Sequence, residues 1–195
     1  LKPLLNEIAK EVNLINGINY LAIDTEEIID AADLTNCKYV NSGIDAIFTE
    51  LYNNIKDVEE VYRNNNFDKK SIENVPVTVC IIGGIDKFQA KLSPDNKKLF
   101  GKMFELGKDL GKFCFLLADS VDKFKKIEYD DWYRNTVNNS RGIWVGDGIA
   151  NQFALKLTKT TKELYEEIGN RFGYVVERGI PVLVKFLEEG EDGDA

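Results

Sequence analysis

Val75-Pro-Val-Thr-Val-Cys-Ile-Ile82, running into Gly83-Gly84, is the stretch that decides the fold class. Its residues are apolar or β-branched without polar alternation, the pattern of a strand covered on both faces. Phe113-Cys-Phe-Leu-Leu-Ala118, stopping at Asp119-Ser120, repeats that pattern. Between them Pro94-Asp95 opens an amphipathic helix with Leu99, Met103, Leu106 and Leu110 on one face and Gly111 as its C-terminal stop. Strand, helix and strand in this order predict a right-handed crossover between neighbouring or near-neighbouring parallel strands.

The same alternation extends upstream. Leu1, Leu4, Leu5, Ile8, Ala9 and Val12 recur at helical spacing, with Pro3 tolerated in a first turn. Ile18–Ile23 reads as a strand ending at Asp24, and Thr25 is placed to cap a short helix carrying Glu26, Ile28 and Ile29. Ser42 with Asp45 predicts the start of a long helix whose stripe runs Ile44, Ile47, Phe48, Leu51, Ile55, Val58 and Tyr62. Asn64-Asn65-Asn66 ends it. The expectation is an α/β fold, a mostly parallel sheet with helices on both faces.

The last third is patterned differently. Gly142-Ile-Trp-Val145 and Phe153–Leu157 read as short strands around the polar turn Gly146-Asp-Gly148. Thr160-Thr-Lys-Glu163 resembles a capping box opening a helix through Ile168. Gly173–Glu177 and Ile180–Phe186 bracket Arg178-Gly179 as a hairpin, with Pro181 placing its strand at an edge or itself among the strand's first residues. Residues 1–187 are expected to form one domain, and residues 188–195 an acidic tail.

Composition narrows the chemistry. The 195 residues are 44% hydrophobic and 30% charged, as in a globular domain. Acidic residues outnumber basic ones 33 to 25, which disfavours nucleic acid as a partner. Histidine is absent, so His-based acid–base catalysis, triads and His-ligated metals are excluded. Cys37, Cys80 and Cys114 are widely spaced and read as buried small hydrophobes. No G-x-x-x-x-G-K-[ST] phosphate loop occurs, and Tyr129-Asp-Asp-Trp132-Tyr-Arg134 offers carboxylates without the His or Cys partners of a strong metal site. Neither a metal nor a cofactor is expected.

Several segments together resemble a known family. They are Ile18–Asp24, the long helix 43–63, Cys80-Ile-Ile-Gly-Gly-Ile-Asp-Lys-Phe88, and Leu106–Gly111 leading into Phe113–Ser120. Gly142-Ile-Trp-Val-Gly-Asp-Gly-Ile-Ala-Asn-Gln152 and Gly169–Gly179 are the more specific parts. Residues 1–187 resemble an FtsK/SpoIIIE-family ATPase domain, most closely the last, degenerate domain of the EssC-type translocases of type VII secretion.

The resemblance implies a RecA-like fold derived from P-loop NTPases, here lacking the phosphate-loop strand and so N-terminally incomplete. Gly83 and Gly84 would then occupy the Walker B positions, where ATPases carry the two carboxylates that hold Mg²⁺ and polarise the attacking water. Asp119-Ser120 would take the place of the polar sensor, and Leu1–Val12 that of the helix after the phosphate loop. Asp86 comes after the key positions and is expected to point elsewhere. Asp24, Gly83, Gly84, Asp119 and Ser120 should line one edge at the strand ends.

The resemblance further implies a cytoplasmic domain of a bacterial cell-membrane protein, attached to the membrane only through its parent chain. Its implied partners are secreted helical proteins of the WXG100 type and neighbouring ATPase domains of the same chain. Tyr129, Trp132, Tyr133 and Trp144 are candidate partner-binding aromatics, with core packing as the competing reading. ATP and Mg²⁺ would enter only if a phosphate loop lies upstream. That alternative makes the chain part of a nucleotide-binding translocase ATPase; a third reading is an α/β interaction domain unrelated to secretion.

Overall fold

The computed structural model describes residues 2–32, 34–169 and 171–186. The expected acidic tail lies outside them. A four-stranded sheet, all parallel, has the order β2-β1-β3-β4, where β1 is Ile18–Asp24, β2 Cys37–Val40, β3 Val77–Gly83 and β4 Phe113–Ala118. β3 and β4 are direct neighbours, with Thr78 opposite Phe113 and Gly83 opposite Ala118. The crossover between them contains α3 (Ile85–Ala90) and α4 (Pro94–Leu110).

Helices cover both faces. Against one lies α1 (Lys2–Asn13), whose Leu5 and Ala9 meet Tyr20, Ala22 and Ile81. Against the other lie α4 and α2 (Ile44–Asn64), packing Phe48, Ile55, Phe100, Met103 and Phe104 onto Leu21, Ile23, Cys80 and Ile82. The buried stripe of α4 is centred on Phe100, Met103, Phe104 and Leu110, so Leu99 and Leu106 flank it and are only partly buried. The Asp45 carboxylate joins the starts of α2 and α4, accepting from Ser93 N and Asn96 Nδ2, both at 2.7 Å. These bonds hold that carboxyl below the usual range, the Ser93 N–H contributing most.

After β4 come α5 (Val121–Ile127) and α6 (Asp131–Thr136), then an antiparallel sheet β5-β6-β7 of Gly142–Val145, Phe172–Glu177 and Ile180–Lys185. Its core gathers Ile149, Leu164, Tyr174 and Val176. The β6–β7 turn uses Arg178 and Gly179, both at positive φ, and Pro181 lies near the start of the edge strand β7. Two open edges, the outer one of β4 and that of β5, border an apolar cleft of about 560 Å³.

Several expectations are corrected. Thr25 opens no helix; residues 25–32 form bends, because its hydroxyl is engaged with β3. Ser42 does not cap α2: the cap is Gly43, left-handed at φ 63° and without a side-chain bond. Phe153–Leu157 is irregular, and the capping box at Thr160 yields one 3-10 turn, Lys162–Tyr165. The C-terminal hairpin is part of a three-stranded sheet. Among the cysteines only Cys80 is buried; Cys37 is half-buried and Cys114 exposed, because β4 is an edge strand. No described helix is long and apolar enough to cross a membrane.

Candidate functional site

The parallel register brings three strand ends level, with Asp24 opposite Gly83 and Gly83 opposite Ala118. The chain leaves each strand in a turn that bonds to its neighbour. Thr25 N donates to Gly83 O at 3.0 Å, and the Thr25 hydroxyl lies 2.9 Å from Gly83 O and 2.8 Å from Gly84 O. Gly84 N donates to Ala118 O at 3.0 Å, and Ile85 N to Asp119 Oδ2 at 3.0 Å. The five residues assigned to this edge therefore do come together.

They do not all face outward. Asp24 is 0% exposed, and its carboxylate accepts from Glu26 N (3.2 Å), Ile29 N (2.7 Å) and Tyr39 Oη (3.3 Å). It staples the loop after β1 instead of presenting oxygens to solvent. Tyr39 is correspondingly pushed up to about 12, by burial first and then by the Asp24 charge. Ser120 is exposed, and its N–H donates to Asp119 Oδ1 at 2.8 Å.

Space at Gly83 and Gly84 is already taken. A Cβ at position 83 would lie 3.0 Å from Asp24 Oδ1, and one at 84 would lie 2.5 Å from both Thr25 Oγ1 and Glu26 Cγ. Gly84 also has φ +79°, a region L-residues rarely adopt.

Over this edge lies an ionic cluster that sequence reading missed. Lys123, from α5, meets Glu26, Asp119 Oδ1 at 3.1 Å and Asp86 Oδ1 at 3.8 Å. Lys87 binds the second Glu26 oxygen at 2.8 Å, and Lys126 reaches Asp86 Oδ2 at 3.4 Å. Asp86, expected to point elsewhere, shares this cluster. Lys123, mainly through Glu26, is held above the usual lysine range, and Glu26 is held below the usual carboxylate range by Lys123 and then Lys87. One signal was available in the sequence: Asp119 and Lys123 stand four apart at the start of a helix.

Chemically this is a neutralised lattice. Mg²⁺ needs oxygen ligands at about 2.0–2.1 Å in near-octahedral array. Here the carboxylates of Glu26, Asp86 and Asp119 are directed at lysine ammoniums. Among the described residues no group of three or more His, Cys, Asp or Glu is arranged to hold a metal ion.

The candidate aromatics separate. Trp132 and Tyr133 are buried at 7% and 4% exposure, and Trp132 stacks on Phe104 at 4.6 Å. They pack in the core, which favours the competing core reading for these two over the candidate partner-binding role. Tyr129 is 79% exposed. Trp144 lines the cleft between the sheets, and its Nε1 donates to Asp147 O at 2.9 Å.

No family model and no curated protein sequence matches this chain. Solved structures do match. The cytoplasmic domain of EssC has a TM-score of 0.62 at 16% identity, over 95% of this chain and 37% of that one. EssC ATPases 2 and 3 from Geobacillus thermodenitrificans score 0.66 at 16% identity, over 95% and 34%. Thermomonospora curvata EccC ATPases 2 and 3, solved in complex with a signal sequence peptide, score 0.60 at 14% identity, over 97% and 35%. This chain thus spans about a third of the length of each. The likeness shows the fold, which is that of a RecA-like ATPase domain.

Proposed function

We propose that this chain is an ATPase-derived domain of a type VII secretion motor that recognises exported proteins and takes part in assembly without hydrolysing ATP. One observation carries the non-hydrolytic part. The end of β3 offers Gly83 and Gly84 where hydrolysis needs carboxylates, and Asp24, Thr25 and Glu26 fill the room such side chains would need. The ammoniums of Lys87, Lys123 and Lys126 offset the carboxylates of Glu26, Asp86 and Asp119, so the lattice is balanced without a divalent cation.

The secretion part is supported by the shared fold with EssC and EccC ATPase domains. The EccC structure contains a signal sequence peptide; the same class of partner is proposed here, secreted helical proteins of the WXG100 type, alongside neighbouring ATPase domains of a longer chain. The domain would work on the cytoplasmic side of the bacterial cell membrane, tethered through that parent.

A second reading keeps nucleotide. The level strand ends are the geometry on which α/β proteins seat ligands, and a phosphate loop upstream would make this half of an active translocase. Two measurements on the purified chain and on the same chain extended upstream decide. ATP turnover with Mg²⁺ is expected at the buffer blank for both, and titration with WXG100-type proteins of the same organism is expected to saturate. Turnover abolished by chelating Mg²⁺ selects the second reading; absence of saturable binding to every such protein overturns the partner assignment.

A further inference from the structure

Both faces of the small sheet are apolar. The register sets Ile143, Val175 and Val182 side by side on the face turned away from Tyr174 and Val176, with Val145, Gly173 and Val184 in the next row. An antiparallel sheet with one face in water alternates apolar and polar residues along its strands. β5 and β7 do not, because their outward positions are Ile143, Val145, Ile180, Val182 and Val184. Strand propensity alone would be met by Thr or Tyr. The charged pair of this face, Arg141 and Glu177 at 3.1 Å, stands at one end. At the other end a Cβ on Gly173 would lie 2.7 Å from the Phe186 ring, so there the chain covers itself. Between the two ends Ile143, Val175, Ile180 and Val182 are exposed, the last two at 59% and 57%.

The size of the face selects its occupant. Three strands about 4.8 Å apart, of four to six residues at about 3.4 Å each, make a face about 10–14 Å wide and about 14–20 Å long. Its area, roughly 200–300 Å², is well below the ~800 Å² per partner of a stable complex. Neither a second copy nor a free protein is held by so small a patch alone. One α-helix, about 10–12 Å across and about 9–13 residues long, matches it. A helix on the same polypeptide also needs little area, because tethering supplies a local concentration of about millimolar order. Residues 187–195 do not provide one, since after Leu187 they contain no large apolar side chain. The matched solved chains are about three times as long as this one, which is ample sequence for such a helix.

We infer that the outer face of β5-β6-β7 is the seat of one amphipathic helix of the same polypeptide, from outside residues 1–195, lying over Ile143, Val175 and Val182. Its apolar residues recur at i, i+3, i+4 and i+7, the stripe that a flat aliphatic face accepts. The helix covers the small sheet on the side that residues 146–168 leave open. This inference does not depend on any role in secretion.

The test places p-benzoylphenylalanine at Val182 in the full-length protein encoded by its gene. Crosslinks formed on illumination are mapped by mass spectrometry in a mixture of isotope-labelled and unlabelled copies. They are expected within single copies, in one stretch outside residues 1–195 that carries the helical apolar spacing. Carbene labelling of Ile143 and Val175 is expected to be at least fivefold weaker in the full-length protein than in the 195-residue chain. Val182→Lys is expected to return that labelling to the short-chain level, while moving the Tm of the short chain by no more than about 1 °C. Equal labelling in the two parent proteins overturns the inference. So does a crosslink that joins two copies, falls within residues 1–195 or reaches another protein, and so does the absence of any crosslink.

Discussion

Gly84 stands at φ +79° with Thr25 and Glu26 against the place a side chain would need, and this one position tests whether an acidic pair can be restored. Gly84→Glu must adopt a left-handed backbone, a strain of about 1–2 kcal/mol, and also displace the Thr25 hydroxyl. The expected loss is about 2–3 kcal/mol in urea unfolding, with no ATP turnover gained. Gly83→Asp sets a carboxyl against Asp24 Oδ1 and is expected to destabilise as well. Unchanged stability in both variants contradicts the crowded geometry. Beside them, Glu26 gives a pH signature. Its carboxyl titrates below the usual range when folded, so its ion pairs with Lys123 and Lys87 stabilise the fold above the unfolded value of about 4.3. That contribution disappears as pH falls through the lower folded value. Glu26→Gln is therefore expected to lower Tm by about 2–4 °C at pH 7, and the gap from the parent should narrow as pH falls below the usual carboxylate range. A gap that stays constant as pH falls through the acid range means the ion pairs are not its source.

At the scale of elements, α6 is the clearest case of packing overriding a surface reading. Trp132 lies across α4, where Gly101 leaves no side chain in the way: a Cβ there would be 2.7 Å from Trp132 Cβ. Its ring contacts Phe100 and Phe104 at centroid distances of 5.2 and 4.6 Å. Trp132→Ala should cost about 3–5 kcal/mol, a fall in Tm of about 10 °C, with partner binding per folded molecule retained. Loss of binding at an unchanged Tm restores the interface reading. Long apolar periodicity made β1, β3, β4, α2 and α4 legible in the sequence. β2 was not legible, because Cys37-Lys-Tyr-Val40 is four residues long and takes its strand form from pairing with β1. Thr160–Ile168 failed in the opposite sense. It has helical capping chemistry, but so short a segment needs tertiary support, and Leu164 is the only buried residue of its turn. At the site, glycine at the end of β3 could be read directly, whereas the lysine cluster could not. Glu26, Asp86 and Lys123 are brought together by the strand register, and nothing local in the sequence encodes that meeting.

Across the whole molecule, stability is expected to be graded by position in the two sheets. β1 and β3 are paired on both sides and covered on both faces, so their amides should open only with global unfolding. β4 is paired once, and β5–β7 rest on a separate, smaller core of four buried residues. Ile143, Val175 and Val182 face one another across β5, β6 and β7 at 41%, 39% and 57% exposure, so one face of that sheet is only thinly protected. Native-state hydrogen exchange on the 195-residue chain should therefore rank protection as β1 and β3 first, β6 next, and β4, β5 and β7 last. The order follows from pairing and burial and needs no ligand. Protection of β7 equal to that of β3 would mean the two sheets unfold as one unit, and the small sheet would then owe its stability to the large one across the cleft.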